Sequence, residues 1–205
     1  MDINITLFIV IATTIISLLA FSNHRIFDEL FFWPYRIWRN NEWYRLVSCS
    51  FIHADLAHLA FNMFALYSFG NYVEWMFRGI FPGKGLTMFI IMYFLAVATA
   101  DIYNLFMRRD DYGYRSLGAS GGVSAIVFSY ILFQPYGRIS IYFLPGIPAV
   151  IFGILYLFYC VYMANRGRDN IGHIAHFTGS IFGFVFPIIF KPSLLVDFIH
   201  QIMGR

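Results

Sequence analysis

Ser120 stands in a run of small residues, Gly118-Ala119-Ser120-Gly121-Gly122, where a charged loop gives way to an apolar stretch. A serine that opens a helix has unpaired backbone N–H groups and the positive end of the helix dipole beside its hydroxyl. The flanking glycines let a second helix or a substrate backbone come close. Alone, the pentapeptide fits plain helix packing equally well, since small residues mark helix contacts in membranes. Three further polar residues in apolar surroundings shift the reading: His58, Asn62 and His176. His58 and Asn62 are spaced i and i+4 and share a helix face. Acyl transfer uses such a set. Ser120 is the candidate nucleophile and needs a base, which a neutral His176 supplies. The tetrahedral intermediate carries an oxyanion. The Asn62 amide, a His58 ring N–H and the Ser120 backbone N–H are candidate donors, one such donor being worth ~3 kcal/mol.

The elements that must position these groups are transmembrane helices. The 205 residues are 60% hydrophobic, 21% aromatic and 12% charged, too little charge to cover a soluble surface. The net charge of +3 is spread over loops and does not suggest a nucleic-acid surface. Cys49 and Cys160 lie in or beside apolar runs and read as small apolar packers, not a disulfide framework. The N-terminus has no basic leader region, so the first apolar run is expected to be retained as a span.

Six spans are expected, about Ile3–Phe21, Phe51–Phe77, Leu86–Met107, Ser120–Phe133, Ile141–Ala164 and Ile171–Phe190. Spans two, four and six then start on one face of the membrane. His58, Asn62, Ser120 and His176 come to similar depth, a convergence that packing alone explains poorly. The fourth span covers only about 20 Å of a core about 30 Å thick. Its start would lie below the membrane surface, which requires a wet cavity above it.

The connection 23–45 mixes aromatic residues with Arg25, Arg36, Arg39 and Arg45 and reads as an interfacial element broken at Pro34. Pro145 and Pro148 predict a kink or a late helix start in the fifth span. Gly179 and Gly183 form a close-contact face. Glu74 and Arg78 read as a structural pair, and Asp101 receives no role. In the tail, 193–205, Leu195, Phe198, Ile199 and Ile202 predict an amphipathic surface helix. The whole chain, 1–205, reads as one membrane domain.

Several motifs, taken in order, resemble those of the rhomboid intramembrane serine proteases. They are Trp43-Tyr44-Arg45; His53 followed by His58-Leu59-Ala60-Phe61-Asn62; Gly70 with Glu74; Gly118-Ala119-Ser120-Gly121; and Ala175-His176-Phe177-Thr178-Gly179 with Gly183. The resemblance covers about residues 43–185, within a core of about 43–190. It implies an all-α, six-helix bundle of the compact prokaryotic type. It also implies a Ser120–His176 dyad without a third acid, with His58 and Asn62 at the oxyanion, and no metal or other cofactor. The implied partners are transmembrane protein substrates and membrane lipids. The implied location is the bacterial inner membrane with both termini cytoplasmic. Charge counting points the other way, since nine of the fourteen Lys/Arg follow spans one, three and five. The motif context selects His176 over His173 as the base. The sequence departs from the family at Ser124, where some members carry an aromatic ring that stacks on the histidine, so another group must orient His176. Two other readings are a catalytically silent rhomboid-like binder of membrane segments and a haem or metal protein using His53, His58, His173 and His176. A transporter would show internal repeats, and none is evident.

Overall fold

The computed structural model describes residues 4–140, 145–167 and 172–204. The expected span starts at Ile3, Ile141 and Ile171 lie outside these residues. Helix α1 (Ile5–Ser22) is followed by three short helices, α2 (His24–Leu30), α3 (Pro34–Asn40) and α4 (Arg45–Ser48). The long α5 (Leu56–Ile80), then α6 (Gly85–Ala100) and α7 (Ile102–Met107), lead to α8 (Ser120–Phe133). A two-residue ribbon pairs Arg138–Ile139 with Ile147–Pro148. The chain ends in α9 (Ala149–Arg166), α10 (His173–Phe190) and α11 (Ser193–Met203).

Four stretches are long and apolar enough to cross a membrane: α1, α6 with α7, α9 and α10. A fifth joins residues 45–51 to α5 through a 98° bend. The short apolar α8 completes a six-helix bundle, and the protein is an integral membrane protein. Helix α5 starts at Leu56, not near Phe51, because Asp55 caps it. The Asp55 Oδ1 accepts the His58 N–H at 2.7 Å. Helix α6 stops at Asp101. That carboxylate accepts from Ser116 Oγ at 2.6 Å and from Asn104 Nδ2 at 2.8 Å, so it anchors the loop that leads to Ser120. Helix α9 starts late, directly after Pro148.

Helix α8 sits at the centre, packed on α5, α6 and α10, with residues 121–126 all buried. The α8–α10 contact is backbone on backbone. A Cβ at Gly179 would stand 2.2 Å from the Gly121 carbonyl oxygen, and one at Gly183 would stand 2.0 Å from that of Ala125. The pairs 121/179 and 125/183 advance together, so the two helices run parallel. Ser129 Oγ donates to the Gly183 carbonyl at 2.7 Å and locks the far end. Helix α1 runs antiparallel to α5. Glu74 accepts from the Thr6 N–H at 2.8 Å, from Thr6 Oγ1 at 2.9 Å and from Arg78 at 2.8 Å. The Glu74–Arg78 pair is therefore structural, and it also holds the first turn of α1.

Pro34 separates α2 from α3 and occupies the first position of α3. The connection is built on Arg45, which is fully buried. Arg45 donates to Glu42 and to the carbonyls of Asp28 (3.1 Å) and Phe31 (2.9 Å). Burial works to raise the Glu42 pKa. The hydrogen bonds from Arg45 and Asn40 and the charges of Arg45 and Arg36 outweigh it and hold the carboxyl below its ordinary 4.5. Phe32 and Ser116 exchange backbone hydrogen bonds at 2.9 and 3.1 Å, tying this connection to the loop before Ser120. In α11 the predicted face divides. Leu194 is buried and Phe198 meets the Phe184 ring at 5.2 Å, whereas Leu195, Ile199 and Ile202 are exposed.

Candidate active site

The chain enters α8 through Gly118, at φ +114°, a conformation that side chains rarely adopt. The Gly118 N–H donates to the Cys49 carbonyl at 2.9 Å, and the Ala119 N–H donates to His53 Nε2 at 3.3 Å. Because Nε2 accepts, the His53 proton sits on Nδ1, which faces Ser17 Oγ at 2.9 Å. Ser17 in turn donates to the Phe51 carbonyl at 2.8 Å. His53 is therefore a buried, neutral strap that fixes the residue before Ser120. The backbone bond from Val123 to Ala119, at 2.9 Å, belongs to the first turn of α8. No side chain caps the helix. The N–H groups of Ser120, Gly121 and Gly122 have no partner within the helix and remain available to an anion.

The His58 ring covers Gly118: a Cβ there would meet His58 Cε1 at 2.9 Å and Nε2 at 3.0 Å. The Ala54 N–H points at His58 Nδ1 from 3.5 Å, which leaves the ring proton on Nε2, the atom nearer the Gly118-to-Ser120 segment. Asn62 is buried one turn further along α5. One of its amide hydrogens goes to the His58 carbonyl at 3.0 Å, and the second is free for another acceptor.

His176 is half-buried, one turn before Gly179 on α10. Its ring stacks on Tyr156 of α9, with centroids 6.3 Å apart and planes 15° apart. The Tyr156 hydroxyl lies 3.1 Å from Ser124 Oγ. Ser124 is i+4 from Ser120 and on the same face of α8. Ser124 thus carries a hydroxyl that anchors an aromatic ring from a different helix, Tyr156 of α9. His173 is buried behind His176, edge-on to Tyr159 at 5.4 Å.

The arrangement has three walls. Gly121, next to Ser120, lies on the α8–α10 seam against Gly179 and Ala175, His58 lies over Gly118, and Asn62 lies one turn further on α5. A half-buried hydroxyl, an imidazole set by stacking and outward backbone N–H groups can together bind and react with a polarised carbonyl. The four histidines do not gather into one metal group. Among the described residues, the one group of three potential ligands is Cys160, His173 and His176. Sequence reasoning missed Tyr156. It is one of fourteen tyrosines, and nothing in its spacing marks it.

A bundle of apolar helices around a short central helix, with a serine at its uncapped start, defines a polytopic helical membrane protein. Residues 40–193 match the Rhomboid domain, and the chain belongs to the rhomboid family. It is 29% identical over 143 residues to RHOMBOID-like protein 12, mitochondrial, of Arabidopsis thaliana, covering 66% of this chain and 43% of that protein. It is 30% identical over 141 residues to Rhomboid protease GluP of Bacillus subtilis (strain 168), covering 69% of this chain and 25% of that protein. For Presenilin-associated rhomboid-like protein, mitochondrial, of Homo sapiens, the values are 28% over 141 residues, 65% and 34%. The chain thus matches less than half the length of each of these relatives.

Proposed function

We propose that this protein is an intramembrane serine endopeptidase in which Ser120 attacks and His176 is the base. The observation that carries the reading is the α8–α10 seam. There Gly121, the neighbour of Ser120 at an uncapped helix start, meets Gly179, one turn from His176, whose ring stacks on Tyr156. His176 takes the Ser120 proton as Oγ adds to the scissile carbonyl, then gives it to the leaving amine. Water repeats the sequence on the acyl-enzyme. The Ser120 N–H, His58 Nε2–H and the free Asn62 amide hydrogen stabilise the oxyanion. No metal or other cofactor takes part in this reading.

The substrates proposed are transmembrane proteins cut in or beside a membrane segment. A helix in lipid has its carbonyls paired, so the substrate must unwind locally, and helix-weakening residues favour cleavage. Family resemblance supports a bacterial inner-membrane location with cytoplasmic termini. It also supports a rhomboid core of about 43–190, flanked by the interfacial connection 23–45 and the amphipathic tail 193–205.

The test is cleavage of a tagged single-span substrate by purified protein in the presence of EDTA. Wild type should cleave and Ser120→Ala should not. Equal cleavage by both would remove Ser120 from the nucleophile role. Tight substrate binding with no cleavage by wild type would favour the silent-binder reading.

A further inference from the structure

Cys160 on α9 and His173 and His176 on α10 present a sulfur and two ring nitrogens that all lie within 4.8 Å of one another. The two histidines, at i and i+3, share a face of α10. The Cys160 thiol also meets the Tyr156 hydroxyl, so the ring that stacks on His176 helps hold the sulfur toward the two imidazoles. One thiolate and two imidazoles make a zinc donor set with a fourth position open.

Distances favour such a site. With Zn–N of about 2.0–2.1 Å and Zn–S of about 2.3 Å, tetrahedral donors stand roughly 3.4–3.6 Å apart. The widest gap here must close by a little over about 1 Å, within reach of side-chain torsions. Helix α9 also has room to adjust: 17% of its membrane window is buried inside the protein, against 39% for α10. A pocket of about 120 Å³ reaches His173 between Asn104, Tyr114, Met163 and Gly172. That is the volume of roughly four waters, enough to admit an ion with part of its hydration shell.

We infer that Cys160, His173 and His176 bind a thiophilic divalent cation of the zinc class, and that the bound ion switches the site off. On binding, the Cys160 thiol releases its proton to solvent and the sulfur and two ring nitrogens coordinate the ion. An ion on the His176 nitrogen that serves Ser120 blocks it directly. An ion on the other nitrogen leaves the serving nitrogen carrying the ring proton, so it donates and no longer accepts. Either way the Ser120 proton has no acceptor. Magnesium and calcium prefer oxygen ligands and should have no effect. The inhibition rests on the protease reading above; the binding does not.

The experiment uses the full chain in detergent with any histidine tag removed. Cobalt(II) is titrated in, and the thiolate-to-cobalt charge-transfer band is followed in the near ultraviolet. Wild type should give the band, Cys160→Ala should lose it, and His173→Gln should weaken it, with thermal melts checking that each variant is folded. In parallel, zinc inhibition of substrate cleavage is measured, each protein being normalised to its own metal-free rate. Half-inhibition of Cys160→Ala should need about tenfold more zinc or greater, since even outer-shell changes cost that much. A Cys160-dependent band in a protein that cleaves nothing would uphold binding and sink the protease reading. Cleavage with no such band, or with equal zinc sensitivity in wild type and both variants, would overturn this inference.

Discussion

Adding one methyl group at Gly179 probes the seam on which the proposed chemistry depends. The new Cβ would lie 2.2 Å from the Gly121 carbonyl oxygen and 2.9 Å from its carbon, whereas ordinary contact begins near 3.4 Å. Both sides of the contact are backbone, so no rotamer relieves it. Gly179→Ala must therefore open the seam from 2.2 to about 3.4 Å, a shift of roughly 1.2 Å. Ser120 adjoins Gly121, and His176 is one turn from Gly179, so the shift falls between the proposed nucleophile and the proposed base. A misplacement of about 1 Å between reacting groups costs on the order of 10²-fold in rate. Overpacking of this kind costs about 1–3 kcal/mol in stability. The expected variant is folded, melts at lower temperature and has kcat reduced about 100-fold. Gly79→Ala is the control, because nothing lies within 4 Å of a Cβ there. It should cleave at the wild-type rate. The assay is cleavage of the single-span substrate, with thermal unfolding in the same detergent. A folded Gly179→Ala that cleaves within about threefold of wild type would refute the claim that this seam sets the catalytic geometry.

Tyr156→Phe keeps the ring on His176 and loses the hydroxyl contacts with Ser124 and Cys160, each worth about 0.5–1.5 kcal/mol, so kcat should fall a few-fold. Tyr156→Leu loses the stacked face and should lower kcat by more than about tenfold with KM little changed; equal losses in kcat and in stability for both variants would point to plain packing. Glu42, with its pKa held below 4.5, contributes stability that is fully present above pH 4.5 and lost as pH falls through its folded-state pKa. Melting temperatures taken downward from neutral pH should show a drop below pH 4.5 that Glu42→Gln lacks; parallel curves would remove Glu42 from the acid response. Arg45→Ala should cost about 1–3 kcal/mol of stability, because it leaves the Asp28 and Phe31 carbonyls without their buried donor, while Glu42 keeps Arg36 and Asn40.

Much of the architecture could be read from residue order. The limits of α8 follow from the glycine run before it and Gln134-Pro135 after it, both of which the structure keeps. The late start of α9 follows from Pro148. Helix α5 starts later than the expected Phe51 because Asp55 caps it and His53 turns back to accept from the Ala119 N–H. Contacts between helices were the harder part. That Tyr156 covers His176, and that Cys160 faces His173, depends on how α9 is rotated against α10. Helical periodicity leaves that rotation open, most of all in a helix apolar on nearly every side. Asp101 was opaque for a related reason: its partner Ser116 is fifteen residues away, across a loop whose path is set by pairing with Phe32.

The central claim is that Ser120 is a nucleophile activated by His176. Labelling with a fluorophosphonate, followed by peptide mapping, tests it without a known substrate. Wild type should carry the label on Ser120, and both Ser120→Ala and His176→Ala should stay unlabelled while remaining folded. Label on another residue, or undiminished labelling of Ser120 in His176→Ala, would contradict the account.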